Sequence, residues 1–224
     1  MFYTVPTKGG LGIELWGTYD DLNTLYSVIG KFSNNEELKP VPGSKNRDKI
    51  ISGLSYEIRN ALQGNRLIRE SALFCGEAVP QFGCEISWPH MLFSLAVLRY
   101  NAHFVAPGKF DLGIFLMLEH WLQKSMEEFD QQGAVLLSPF LEGAIHTANP
   151  CLYQYMRSVN MEYFLLGGGT ESFRKLPKLL KRTQHPGSAY DNYMEFLTNE
   201  AARLKCDASK LEFEEENSLY EIEW

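Results

Sequence analysis

Histidine is the side chain that most often binds metals or transfers protons near neutral pH, and this chain has five of them. They are His90, His103, His120, His146 and His185, and none is followed by a second histidine at the i, i+4 spacing that puts two metal ligands on one helix face. Glu119 and His120 are adjacent, but adjacent side chains on a helix point about 100° apart. We therefore expect no metal and no cofactor, and we take Glu119 or His120 as the acid–base candidate if the protein is an enzyme.

Nucleophilic chemistry has equally little support in the sequence. The four cysteines, Cys75, Cys84, Cys151 and Cys206, do not form the Cys-x-x-Cys pairs of zinc ribbons and redox dithiols, so we interpret them as free thiols. The Gly-x-Ser-x-Gly and Ser-x-x-Lys motifs of serine hydrolases do not occur in a suitable setting. The sequence thus favours a protein without catalysis.

A polar cluster stands out at the end of the second predicted helix and at the end of a later, otherwise apolar helix. Long cationic side chains beside buried elements usually have carboxylate or carbonyl partners, and Glu57, Glu85, Glu119 and Glu142 are available. Two interpretations stay open: a structural network that ties helices to a sheet, or a pocket that binds an anion or a partner. The residues concerned are Tyr56, Arg59, Asn60, Gln63, Arg66, Arg99 and Asn101.

The net charge of −7 is concentrated at the C-terminus. Residues 207–224 contain seven acidic residues and one lysine, a net charge of −6, so the other 206 residues carry only −1. Tyr220, Ile222 and Trp224 alternate as in an edge strand, which could pair two copies in a homodimer. Clustered charge also steers association with a partner. We predict a partner-binding tail made of Glu214, Glu215, Glu216, Tyr220 and Trp224.

The hydrophobic pattern predicts strands at residues 2–5 and 11–16 and two more around 67–75 and 82–87, with helices in most of the rest. Residues 11–16 alternate with the period of a half-buried strand, and Thr18 with Asp21 has the form of a helix N-cap. Ser87-Trp88-Pro89 opens a later helix that is apolar on nearly every side. We predict a predominantly helical α+β fold, with a single compact domain at residues 1–206, a small N-terminal mixed or antiparallel sheet, and an acidic tail at 207–224.

Apolar runs and composition set further limits. The longest unbroken apolar run belongs to a helix predicted over about 111–130, and it is too short to cross a bilayer. We expect the first half of this helix to be buried and its polar second half to be exposed. The start of the chain does not have the pattern of a secretory signal, so we expect a cytoplasmic protein. A pI near 5.3 makes nucleic acid an unlikely partner.

Three segments carry a family resemblance. Residues 56–66 fit YEIRxAxQGxR, residues 87–101 fit SWPxxLFxxxxLRYN, and residues 12–23 have a similar N-terminal signature. Together they resemble an uncharacterised family of bacterial proteins of about 220 residues, over about residues 11–130. The resemblance implies a bacterial cytoplasmic setting and no known activity. The chain is also similar to immunity-type proteins encoded beside toxins, which are acidic, compact and poor in catalytic motifs.

Two functional hypotheses follow from the sequence. The first is a non-catalytic protein-interaction component, immunity- or defence-associated, whose acidic or aromatic surface occludes a protein partner. The second is an anion- or nucleotide-binding domain or enzyme built around Arg59, Arg66 and Arg99.

Overall fold

A four-stranded antiparallel sheet occupies the N-terminal part of the fold. The computed structural model describes residues 1–72, 78–212 and 224, so Cys75, Glu214, Glu215, Glu216 and Tyr220 lie outside the described residues. The strands lie in the order β1-β2-β4-β3, and each neighbouring pair is antiparallel. Their bounds are Tyr3–Pro6 (β1), Gly12–Gly17 (β2), Leu67–Ala72 (β3) and Ala78–Ser87 (β4).

Helices form most of the rest, so the predicted α+β fold with a helical majority is confirmed. In the described residues the α-helices are Tyr19–Lys31 (α1), Ser44–Leu62 (α2), Trp88–Asn101 (α3), Lys109–Phe129 (α4), Gln131–Leu141 (α5), Leu152–Leu165 (α6), Gly169–Leu180 (α7) and Ser188–Leu204 (α8). None of the helices that the structure describes has both the length and the apolar composition to cross a membrane.

The capping signals in the sequence are used as predicted. The Thr18 side chain accepts a hydrogen bond from the Asp21 backbone N–H, and the Asp21 carboxylate accepts one from the Thr18 backbone N–H, so α1 begins with a capping box. The Ser87 hydroxyl accepts a hydrogen bond from the His90 backbone N–H at the start of α3. These caps satisfy backbone donors that a helix start otherwise leaves unpaired.

Helix α3 lies at the centre of the core. Trp88 is fully buried at its first turn, its ring centroid 5.1 Å from that of Phe173 and 6.1 Å from that of Phe129. The Trp88 indole N–H donates a hydrogen bond to the Gly10 carbonyl oxygen at 3.1 Å, and the Tyr163 hydroxyl donates to the same oxygen at 2.8 Å. The turn between β1 and β2 is therefore held by residues from two distant helices.

The expectation that the first half of α4 is buried was wrong. Leu112 is 44% exposed and Leu116 is 65% exposed, whereas Leu122 and Met126 in the polar second half are buried. The reason is the helical period of 3.6 residues, which places one stripe toward the core along the whole helix and turns the apolar residues between the stripe positions toward solvent.

One acidic side chain, Asp111, fixes the first turn of α4. The Asp111 carboxylate accepts hydrogen bonds from the Lys31 ammonium group at 2.7 Å and from the Gly108 backbone N–H at 3.0 Å. The bond from Lys31 and then the backbone bond lower the pKa of Asp111 below its ordinary value. Asp111 thus joins the start of α4 to the end of α1.

This lowered pKa predicts a pH-dependent contribution to stability. A carboxyl group whose pKa is lower in the folded state stabilises the fold above its unfolded pKa of about 3.9, and the contribution is lost as the pH falls through the folded-state pKa. We expect Asp111→Asn to be less stable than wild type at pH 7 in urea unfolding, with a difference that shrinks below about pH 4. Asp20→Asn, at an exposed position in the first turn of α1, is the control. A difference that stays constant with pH would contradict the prediction.

Candidate functional site

A continuous polar stripe runs along the outer face of α2. Lys45, Lys49, Ser52, Tyr56 and Arg59 are spaced by four, three, four and three residues, which places them on one side of the helix. The opposite side carries the buried core residues Ile51, Leu54, Ile58 and Ala61. The amphipathic pattern that buries α2 therefore also presents this stripe to solvent.

A cleft of about 640 Å³ lies between α1 and α2 beside the stripe. Its polar groups are hydroxyls, one amide and one guanidinium, all able to donate hydrogen bonds, and no carboxylate occurs among the described residues that line it. Such a lining fits groups that accept hydrogen bonds and carry negative charge. The lining residues are Tyr26, Ser27, Gly30, Ser33, Asn34, Ser52, Ser55, Tyr56 and Arg59.

Tyr56 lies beside two arginines, of which Arg59 lines the cleft and Arg66 does not. The guanidinium carbons of Arg59 and Arg66 lie 5.5 Å and 6.0 Å from the centre of the Tyr56 ring, within the range of cation–π attraction. The Arg66 guanidinium also donates two hydrogen bonds to the Glu57 carboxylate, at 2.7 Å and 3.3 Å, and this interaction raises the pKa of Arg66. In the part of the chain that the structure describes, Arg59 has no carboxylate partner.

Asn60 on α2 and Gln63, the residue that follows α2, do not line the cleft. Asn60 is buried, and its side-chain amide nitrogen has no hydrogen-bond partner among the described residues. Gln63 is at the end of the helix, where its side-chain oxygen accepts a hydrogen bond from the Asn65 amide at 3.4 Å. The sequence cluster on α2 is thus divided between the two faces of the helix.

Arg99 and Asn101 lie at the end of α3 and belong to interhelical contacts. The Arg99 guanidinium forms an ion pair with Glu119 of α4. The Asn101 side chain accepts a hydrogen bond from Arg47 Nε at 3.1 Å and donates one to the Phe32 carbonyl at 2.7 Å. Neither residue lines the α1–α2 cleft, so the structure does not bring Arg99 together with Arg59 and Arg66.

A second recess continues the cleft toward the start of α2. It shares Asn34 and Ser52 with the cleft and is lined in addition by Lys45, Lys49, Asp48, Tyr153 and Glu212. The Lys49 ammonium lies 5.0 Å from the centre of the Tyr153 ring. Two lysines here face two carboxylates, so the charge is balanced at this end, and Arg59 is the cation that stays uncompensated among the described lining residues.

The predicted tail residues are described only at the last position. Glu214, Glu215, Glu216 and Tyr220 lie outside the described residues, whereas the Trp224 ring packs edge-on against Phe164 at 5.7 Å. Tyr190 and Tyr193 pack against the buried Tyr155, with ring centroids 5.4 Å and 4.6 Å away.

Among the described residues, the acid–base candidates Glu119 and His120 contact other side chains rather than each other. The His120 ring packs against Trp121, and Glu119 is paired with Arg99. No group of three metal-ligating side chains was found in residues 1–72, 78–212 and 224. Burial raises the pKa of Cys151 to about 11, so this thiol is protonated at neutral pH and is a poor nucleophile.

Sequence reasoning found Tyr56 and Arg59 but missed the hydroxyl groups that line the cleft with them. Ser52 and Ser55 are one helical turn before Tyr56 and Arg59, a spacing that the sequence contains. Ser27 and Ser33 come from α1 and the segment after it, and no local pattern indicates that they face α2.

Comparison with known proteins identifies the family. Neither the curated proteins nor the solved structures contain a match to this chain. A family model described as a domain of unknown function, DUF6904, matches residues 2–224. Since this match covers nearly the whole chain, the protein belongs to the DUF6904 family.

Proposed function

We propose that this protein is a non-catalytic interaction component that binds an acidic segment of a partner protein on the outer face of α2. The observation that carries the proposal is Arg59, a cation without a carboxylate partner in the described residues, held beside Tyr56 in a cleft lined by hydrogen-bond donors. Arginine and tyrosine are among the side chains that most often dominate binding energy at protein interfaces. An immunity or defence setting for this role stays a prediction.

The shape of the stripe favours a partner protein over a small molecule. Tyr56 is 50% exposed, and the stripe from Lys45 to Arg59 spans fourteen residue steps, which is about 21 Å along a helix. An extended acidic segment can contact Arg59 and also the hydroxyl groups of Ser52, Ser55 and Tyr56, whereas a small anion meets one arginine only.

An anion- or nucleotide-binding role is the second candidate because of the size of the cleft. A volume of about 640 Å³ is within the range of small-molecule sites. However, Arg66 and Arg99 are paired with Glu57 and Glu119, which leaves Arg59 as the guanidinium available for a phosphate at this cleft. A nucleotide bound here would therefore have one charged contact.

The proposal is tested with a fluorescent twelve-residue peptide rich in Glu and Asp, whose binding is followed by fluorescence anisotropy. We expect binding that weakens as salt is raised, because surface charges are screened. Arg59→Glu should weaken binding about tenfold or more, since it replaces an attraction by a repulsion. Arg203→Glu on α8 is the matched control, with the same charge change at an exposed site, and it should leave binding unchanged.

Two results would count against the interaction role. Equal binding by wild type and Arg59→Glu would remove α2 as the binding surface. Displacement of the peptide by micromolar nucleotide at constant ionic strength would favour the second candidate, because a partner surface has no reason to prefer a nucleotide over a carboxylate-rich segment.

A further inference from the structure

A pocket separate from the cleft and the recess beside α2 lies on a different part of the molecule, where the end of α3 meets two connecting segments. It has a volume of about 540 Å³ and does not share a lining residue with the α1–α2 cleft. Tyr100 of α3 forms one wall, residues 143–148 between α5 and α6 form another, and Gln184 and His185 after α7 close it. None of these described lining residues carries a carboxylate.

Two histidines from separate segments meet in this pocket. The His146 and His185 rings are stacked with their centroids 5.0 Å apart, and Tyr190 of α8 meets the edges of the pair at 5.7 Å and 4.9 Å. The backbone N–H of His146 donates a hydrogen bond to the Thr183 carbonyl at 2.9 Å, which fixes the two segments against each other. The rings are thus positioned by the fold rather than by a bond between them.

Arg47 places a positive charge directly behind the pocket wall. Its side chain is fully buried, its guanidinium carbon lies 4.6 Å from the centre of the Tyr100 ring, and Nη1 donates a hydrogen bond to the Thr147 carbonyl at 3.2 Å. No carboxylate forms an ion pair with Arg47 among the described residues, and its Nη2 has no hydrogen-bond partner. Burial, the largest cause, lowers the pKa of Arg47, whereas the Asp48 carboxylate acts on it only through a longer-range attraction that raises the pKa. In the low dielectric of the interior the field of this charge extends into the adjacent cavity.

The lining chemistry fits an anion better than a metal ion. Stacked imidazoles present their faces to each other and do not direct two nitrogen lone pairs to one ion, and the charge of Arg47 repels a cation. Burial, and then the neighbouring His185, lower the pKa of His146, so its ring is neutral at pH 7 and can donate one N–H. The Gln184 amide and the Tyr100 hydroxyl are further donors, and Ala144, Ile145 and Ala148 provide apolar surface for the rest of a ligand.

We propose that the pocket between His146, His185 and Tyr100 binds the oxyanion group of a small metabolite, with Arg47 as the buried cation that makes the pocket electropositive. The ligand class is a small molecule that carries a phosphate, sulfate or carboxylate group. Arg47 acts here as a positioning and electrostatic residue, since the wall formed by Tyr100 and Thr147 separates it from the cavity.

The test uses isothermal titration and thermal shift with sodium phosphate, sodium sulfate and sodium acetate, each against sodium chloride at constant ionic strength. We expect a saturable rise in the melting temperature, because a ligand that binds only the folded state stabilises it. His185→Ala and Gln184→Ala remove donors from side chains at the pocket mouth, and each should weaken binding about tenfold, as expected for a hydrogen bond to a charged group. His120→Ala, whose ring packs against Trp121 on α4, should not change it.

The responses to the three anions distinguish the chemical classes of ligand. Saturation by phosphate and sulfate alone identifies a tetrahedral oxyanion, and saturation by acetate as well extends the class to carboxylates. The proposal is overturned if none of the three anions gives a saturable response, or if His185→Ala and Gln184→Ala bind like wild type. Circular dichroism of both variants confirms that a loss of binding is not a loss of fold.

Discussion

Replacing Trp88 with alanine should lower the free energy of unfolding by about 4 kcal/mol, within the range measured for large aromatic side chains in protein cores. Trp88 is fully buried between Phe129 and Phe173, and its indole N–H is bonded to Gly10. Alanine would leave a cavity in the core and remove one of the two donors to the carbonyl at the β1–β2 turn. Urea unfolding followed by circular dichroism measures the change.

Trp88→Phe provides the matched control for this variant. Phenylalanine keeps most of the ring volume but loses the hydrogen bond to Gly10, so the loss should be about 1–2 kcal/mol. A loss smaller than about 1 kcal/mol for Trp88→Ala would mean that the core closes around the missing ring and that α3 does not anchor the sheet.

Replacing Arg47 with methionine should lower the free energy of unfolding by about 3 kcal/mol. Three acceptors would lose their donor: Asn101 Oδ1, the Pro42 carbonyl and the Thr147 carbonyl, each at a cost of about 1 kcal/mol or more. One effect opposes this loss. Burial desolvates the Arg47 charge, which costs free energy and lowers the pKa of Arg47, and methionine removes this cost. We expect the loss of donors to be larger, because those acceptors come from three separate segments and methionine cannot donate.

Urea unfolding of Arg47→Met and Arg47→Lys measures this balance. Lysine keeps the charge but cannot reproduce the planar fork of the guanidinium, so it should also be destabilising. Arg203→Met on the exposed face of α8 should show no measurable change. An Arg47→Met protein that is more stable than wild type would show that desolvation dominates at this position.

Local signals predicted the starts of two helices well. Thr18 with Asp21 and Ser87 before Trp88-Pro89 are short motifs whose hydrogen bonds form within four residues, so no knowledge of the tertiary fold is needed to recognise them. The burial of α4 was predicted wrongly because every residue of the unbroken apolar run was expected to be buried. The helical period assigns Leu112 and Leu116 to the solvent side, and that assignment was available in the sequence.

Tertiary contacts account for what the sequence could not predict. Arg47 stands near the start of a helix, where arginine is ordinarily solvated, and segments distant in sequence bury it, with Asn101 54 residues away and Thr147 100 residues away. His146 and His185 are in connecting segments without periodicity, so nothing local indicates that their rings stack. Tyr56 and Arg59 were identified because they share a helix face, whereas Ser27 on α1 and Ser33 after it, which line the same cleft, were not.

The carbonyl groups of the β1–β2 turn have a consequence for synthesis on the ribosome. Gly10 accepts hydrogen bonds from Trp88 and from Tyr163, which is 153 residues away, and Gly9 accepts one from the backbone N–H of Gly169. The β1–β2 turn is the first turn of the chain to be synthesised, and its last hydrogen-bond donor, the Gly169 backbone N–H, is present only after residue 169 has been added. Contacts between residues so far apart in the sequence form late and slowly. During most of translation the β1–β2 turn therefore lacks the hydrogen bonds from Tyr163 and Gly169.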